Sequence, residues 1–184
     1  HFDTPTVNTV DGLGRLVSQE RRLGNTSAVT RLEYDALGQT AGYIDAEGNR
    51  KSQSFDAMGR LLTVNDPNAG SMTMTYDDAS NLVARTDGRG ITTAFTFDGT
   101  NREVERFDPA NKEATLISTA WDASADCDLA RCPNTAGNMV LRRYPGGGDF
   151  MGYDVRRRGF SRVRVIEGQT YTLETRFDNA DRIA

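Results

Sequence analysis

The sequence predicts an all-β chain of consecutive antiparallel hairpins. A six-residue pattern returns every 21 residues, side chains between the returns alternate with a period of two, and the composition is rich in turn formers. Gly accounts for 18 of 184 residues, hydrophobic residues for only 37%, and mean hydropathy is −0.58. A chain with so little apolar content and so many turn formers fits short strands better than a compact helical core.

The repeat is read directly. Tyr34-Asp35-Ala36-Leu37-Gly38-Gln39 returns as Phe55-Asp56-Ala57-Met58-Gly59-Arg60, Tyr76-Asp77-Asp78-Ala79-Ser80-Asn81 and Phe97-Asp98-Gly99-Thr100-Asn101-Arg102. A second series at the same spacing, Asp45, Asp66, Asp87 and Asp108, interleaves with the first, so two turns punctuate each unit. Asp opening a turn accepts a hydrogen bond from the backbone two residues on, and Gly three residues later supplies the positive φ that closes a type I turn with a bulge. Asn101 tolerates that conformation and Ser80 does so less comfortably, so the Ser80 turn is expected to be the odd one.

Strands fill the intervals. Met72, Met74 and Tyr76 alternate with Ser71, Thr73 and Thr75, and Ile91, Phe95 and Phe97 with Thr92, Ala94 and Thr96. That is the pattern of a half-buried strand. Leu62, Val83 and Val104 stand at equivalent repeat positions. An aromatic stripe through Tyr34, Phe55, Tyr76 and Phe97 and an aliphatic one beside it should therefore run from unit to unit, substantially buried. A lone hairpin is marginal in water, so the units must stack.

Outside the regular block the motif loosens to Val10-Asp11-Gly12-Leu13-Gly14-Arg15, Trp121-Asp122, Tyr153-Asp154 and Phe177-Asp178. The expected organisation is a lead-in over residues 1–9, then repeats over 10–120 with the regular block at 34–113. An irregular insertion or long loop follows over 121–152, and further repeats over 153–184 end partway through a motif. Cys127 and Cys132 sit five apart in the insertion. A short disulfide, two free thiols and a metal site all remain open, although zinc would need two further ligands and the sole histidine is His1.

At this point the motif [Tyr/Phe]-Asp-x-x-Gly-[Arg/Gln] and its 21-residue period resemble the YD repeats of bacterial Rhs proteins, wall-associated proteins, insecticidal toxin-complex subunits and teneurins. The resemblance is strong over about residues 10–110 and patchy beyond. It implies a spiralling β-sheet shell that houses an effector in toxins and supports adhesion in teneurins. It carries over no catalytic residue, because the family's self-cleaving aspartyl-protease region follows the repeats and has no counterpart here. Asp66-Pro67-Asn68-Ala69-Gly70 superficially resembles a cleavage signature but occupies an ordinary turn position.

Other chemistry is thin. A nucleophilic triad needs a base, and a terminal His supplies none. The carboxylates sit mostly at turn positions. Asp122-Ala123-Ser124-Ala125-Asp126-Cys127-Asp128 faintly suggests a calcium loop, but Cys127 stands where the sharp-turn Gly belongs. Gly146-Gly147-Gly148 lacks the Lys-Ser/Thr of a phosphate loop and reads as a flexible turn. Net charge is −4, which argues against nucleic acid or anionic membrane as partners. Nine Arg against six acidic residues make residues 141–184 +3, leaving −7 before them. Arg156, Arg157, Arg158, Arg162 and Arg164 form the local cluster, read as a solvated strand face.

The sequence therefore predicts a scaffold without a cofactor, not an enzyme: a stretch of shell wall around a toxin or effector, in a secreted or cell-surface parent. The alternative is a module that binds a surface glycan or receptor during adhesion. Its partners are the remainder of the parent chain, and the isolated segment, with uncapped sheet edges, is expected to self-associate. No segment is apolar for long enough to span a membrane as a helix.

Overall fold

A computed structural model describes residues 5–127, 132–178 and 180–183. His1, residues 128–131 of the cysteine loop (with Asp128 of the calcium-like pattern) and residue 179 lie outside the described residues. The chain forms two compact units, His1–Thr75 with Arg85–Ile91, and Tyr76–Ala84 with Thr92–Ala184. Strand order follows chain order from first to last, and every recorded pairing is antiparallel.

The first unit is a meander of β1 (Thr6–Val10), β2 (Leu16–Leu23), β3 (Thr26–Tyr34), β4 (Thr40–Ile44), β5 (Arg50–Phe55), β6 (Leu61–Asp66) and β7 (Gly70–Tyr76). Each strand pairs with the next. β1 thus places a strand within the expected lead-in. The pairing slips by one residue at Thr9/Val10, Glu33/Tyr34 and Ser54/Phe55, immediately before the turn aspartates. This is the bulge that accompanies a type I turn closed by a left-handed residue. Short β8 (Leu82–Thr86) follows.

The second unit carries β9 (Thr92–Phe97), β10 (Glu103–Phe107), β11 (Ile117–Trp121), β12 (Met139–Tyr144), β13 (Gly147–Tyr153), β14 (Gly159–Ile166) and β15 (Gln169–Glu174). Helical residues, among those described, are confined to Pro109–Asn111 and α1 (Lys112–Thr115), both between β10 and β11. Asp108 caps this excursion by accepting from the Ala110 amide at 2.8 Å, with Pro109 at the first position, where its missing N–H costs nothing.

Three expectations are corrected. The long loop over 121–152 is shorter, because β12 and β13 occupy its second half and, among the described residues, leave 122–127 and 132–138 as the irregular part. Within Gly146-Gly147-Gly148 only Gly146 turns, at φ 83°. Gly147 is a strand residue paired with Ile166, where a Cβ would stand 2.1 Å from the Val165 carbonyl oxygen. The aromatic stripe is also less buried than expected: Tyr34, Phe55, Tyr76 and Phe97 are all half-buried. Buried hydrophobic side chains, among the described residues, are Cys132, Val140 and Leu141, all in the second unit.

Candidate functional site

The recurring feature is a turn built around one aspartate. In the Asp56 turn the Asp56 amide donates to the Arg60 carbonyl at 2.9 Å, and the Gly59 amide donates to the Asp56 carbonyl at 3.0 Å. The Asp56 carboxylate accepts from the Met58 and Arg60 amides, both at 2.9 Å, and its second oxygen from Arg60 Nε at 2.6 Å. Asp11 with Arg15, Asp98 with Arg102, Asp154 with Arg158 and Asp178 with Arg182 repeat this set. Asp35 with Gln39 keeps the backbone part, and Asp45 with Asn49 and Asp77 with Asn81 replace the ion pair by an amide donor. One oxygen thus satisfies two amides that the bulge would orphan, and the other fixes the residue four positions on.

The electrostatics follow from the donors. The Arg60 amide first, and then its side chain, hold the Asp56 carboxyl below the ordinary carboxylate range. The Arg15 amide and side chain act likewise on Asp11, and for Asp98 the Thr100 hydroxyl is the leading cause. The Ser80 turn closes with the same backbone bonds as its neighbours, so its geometry does not set it apart from the Asn101 turn. Ser80 sits at φ 68° and Asn101 at φ 62°, against 83° for Gly38 and 82° for Gly59.

The residue after the turn joins one motif to the next. The Arg15 guanidinium lies 4.5 Å from the centre of the Tyr34 ring, and Tyr34 Oη donates back to the Leu16 carbonyl at 2.8 Å. In the second unit Arg102 stacks at 5.2 Å on Trp121, whose Nε1 donates to the Glu103 carbonyl at 2.9 Å, and Arg158 stacks at 4.4 Å on Phe177. Arg102 also reaches Asp122 of the following motif at 2.7 Å, and the Asn81 amide donates to Asn101 at 3.0 Å. The structure therefore brings successive motifs into contact through a position to which sequence reasoning assigned no role. Its signal was the recurrence of Arg four residues after Asp, which matches a fork-shaped donor to a carboxylate and leaves the plane free to stack.

A second polar cluster has no repeat signature. Asp149 in β13 is flanked across the sheet by Arg142 of β12 and Arg164 of β14. It is 5% exposed. Arg164 Nε donates to it at 2.7 Å, and the Nη2 atoms of Arg162 and Arg164 do so at 2.7 and 3.1 Å. The Arg164 contact, with Arg162 behind it, lowers its pKa from 3.8 to about 2 against the cost of burial. Together with Asp181, which takes Arg156 and Arg158, this places most of the expected basic cluster against the chain's own carboxylates.

The remaining candidates resolve in the same way. Asp122 faces Arg102 and the Gly137 amide, and Asp126 pairs with Arg143 at 2.8 Å, so these oxygens of the calcium-like stretch are turned to cationic or amide donors. Among the described residues no three His, Cys, Asp or Glu side chains converge as metal ligands would. Asp66 pairs with Lys51 at 2.5 Å and accepts from the Asn68 amide at 2.9 Å, an ordinary turn. Cys127 and Cys132 are joined, with Cα atoms 5.8 Å apart. Among the hollows of the described residues are one of about 400 Å³ over Leu16, Leu32 and Tyr43 in the first unit and one of about 350 Å³ over Leu141, Phe150 and Val165 in the second. Neither is lined by a paired acid and base.

Residues 34–71 and 76–112 match a family described as RHS Repeat. Among solved structures the chain is similar to the crystal structure of TcdB2-TccC3-Cdc42, with TM-score 0.80 and 16% identity over 98% of this chain and 10% of that one. The crystal structure of TcdB2-TccC3 without its hypervariable C-terminal region gives TM-score 0.80 and 16% identity over 100% and 11%. A Photorhabdus luminescens Tc holotoxin pore structure gives 0.79 and 16% over 98% and 10%. The chain spans about a tenth of the length of these proteins, and at this identity the likeness establishes the fold. No curated protein sequence matches it.

Proposed function

We propose that the chain, whose residues 34–71 and 76–112 match the RHS Repeat family, is a structural stretch of YD-repeat wall in a β-sheet shell that encapsulates and presents a toxin or effector domain of a larger secreted or surface protein. The observation that carries this reading is the coupling of one motif to the next through the Asp–Arg–aromatic contacts of Arg15 with Tyr34, Arg102 with Trp121 and Arg158 with Phe177, which supports a repeat through its neighbours. The side chains so used are occupied with one another, which supports a mechanical role over a catalytic one. The fold shared with a tenth of much longer toxin-complex chains supports the parent as a shell.

Protease digestion of the complete parent chain tests it. An enclosed effector should survive for as long as the repeats do; an effector cleaved while the repeats stay intact overturns encapsulation. A glycan-binding role draws on Tyr43, 43% exposed beside the first-unit hollow. Specific retention on a glycan array that is lost on Tyr43→Ala would favour that reading instead.

A further inference from the structure

The only covered core among the described residues lies beneath the cystine. Ala120, Leu141 and Phe150 stand in one cross-strand row on one face of β11, β12 and β13, and Cys127 and Cys132 pack against this cluster. The two halves of the covering segment are held differently. On the Cys132 side, the Pro133 carbonyl accepts from the Tyr153 amide at 3.0 Å and the Asn134 side chain donates to the Tyr153 carbonyl at 2.9 Å. On the Cys127 side, Asp122 is held by Arg102, by the Gly137 amide and through its own amide by the Asn138 carbonyl at 3.0 Å, but beyond it, among the described residues, the side-chain tie to the sheet besides the cystine is the Asp126–Arg143 pair, whose side chains are 55% and 52% exposed. An exposed pair of that kind restrains little.

We propose that the Cys127–Cys132 bond is a redox-operated latch that keeps residues 123–127 closed over Leu141 and Phe150. This reading goes beyond the wall role and does not depend on it. The bond links residues only five apart, so it restricts the unfolded chain little, and its effect is local: it ties the weakly held arm to the anchored one. The sulfurs are unequal. Cys132 is 2% exposed, whereas Cys127 is half-buried, so an incoming thiolate reaches Cys127 Sγ. A small dithiol attacks there and forms a mixed disulfide as the S–S bond breaks and Cys132 leaves as thiolate, which takes up a proton. The second thiol of the reductant then displaces Cys127, leaving two protein thiols and one oxidised, cyclic reductant. An oxidising compartment keeps the latch shut and a reducing one opens it.

The test is hydrogen exchange on the intact chain with and without millimolar dithiothreitol, with mass spectrometry to count the thiols. Reduction should speed exchange in β11 to β13 by about tenfold or more while β2 to β6 keep their protection. The Cys127→Ser/Cys132→Ser chain should begin in the fast state and ignore the reductant. Three results overturn the latch: free thiols before any reductant, a bond that resists dithiothreitol in the folded chain, or exchange that is unchanged or rises equally in β2 to β6.

Discussion

Asp149→Asn isolates the one deeply placed ion cluster among the described residues. The substitution keeps the shape of the side chain and removes its charge, leaving Arg142, Arg162 and Arg164 around a neutral amide. A carboxyl lowered from 3.8 to about 2 represents about 2.4 kcal/mol of stability at neutral pH, at 1.36 kcal/mol per tenfold change. This is less than the loss of about 3–5 kcal/mol expected when a wholly buried pair is broken. The reason is that the Arg162 and Arg164 side chains are 42% exposed and can turn to water. Because the folded-state pKa is depressed, the contribution is fully present above the unfolded value and is lost as pH falls through the folded one. The difference between parent and variant should shrink from about 2.4 kcal/mol at pH 7 to about 1.3 at pH 3 and about 0.4 at pH 2. Urea unfolding followed by the fluorescence of Trp121, in the same unit as Asp149, gives both numbers. A cost below about 0.5 kcal/mol at pH 7, or one equal at pH 7 and pH 2, would refute the reasoning.

Gly88→Ala should destabilise the chain by about 1–3 kcal/mol, since its Cβ would stand 2.1 Å from the Ala69 oxygen and 2.9 Å from Gly70 Cα, both backbone atoms. Gly12→Ala, with nothing within 4 Å and no positive φ, should stay within about 0.5 kcal/mol, and equal effects in urea titrations would refute the contact. Phe55→Ala should cost about 1–2 kcal/mol, below the range for a fully buried Phe, because the ring is half-buried; a loss of 3 or more in the same titration would place it in a closed core. Arg157→Gly should stabilise by about 0.5–1 kcal/mol, the relief of an exposed non-glycine residue at φ 63° less the added freedom of the unfolded chain. A lowered thermal midpoint would contradict it.

The strands and the turn positions were legible because each rests on local rules. Asp56 and Gly59 announce a bulged turn by spacing alone, and the alternation through Met72, Met74 and Tyr76 announces a strand. β12 and β13 were hidden for a local reason too: Gly146-Gly147-Gly148 reads as flexible, and only the close passage of the Val165 carbonyl shows why strand residues there must lack a side chain. The Asp149 cluster was not legible, since Arg162 and Arg164 reach it only through the register of β13 and β14. The depth of the aromatic stripe failed for a different reason. Periodicity reports which face a side chain takes, and it carries no information about whether a second layer covers that face.

That last point changes where the stability of such a repeat must come from. With Tyr34, Phe55, Tyr76 and Phe97 only half-buried, apolar transfer supplies a fraction of what a closed core would. The carboxylates of Asp11, Asp56, Asp98, Asp154 and Asp178 are all held below their ordinary range by amides and guanidinium groups of their own turns. Each contributes stability above the ordinary carboxylate range and loses it as pH falls below that range, so the turns weaken together on acidification. In a chain whose units lean on their neighbours, such losses add along the sheet instead of being absorbed by one core. Acid should therefore loosen this protein through its turns first.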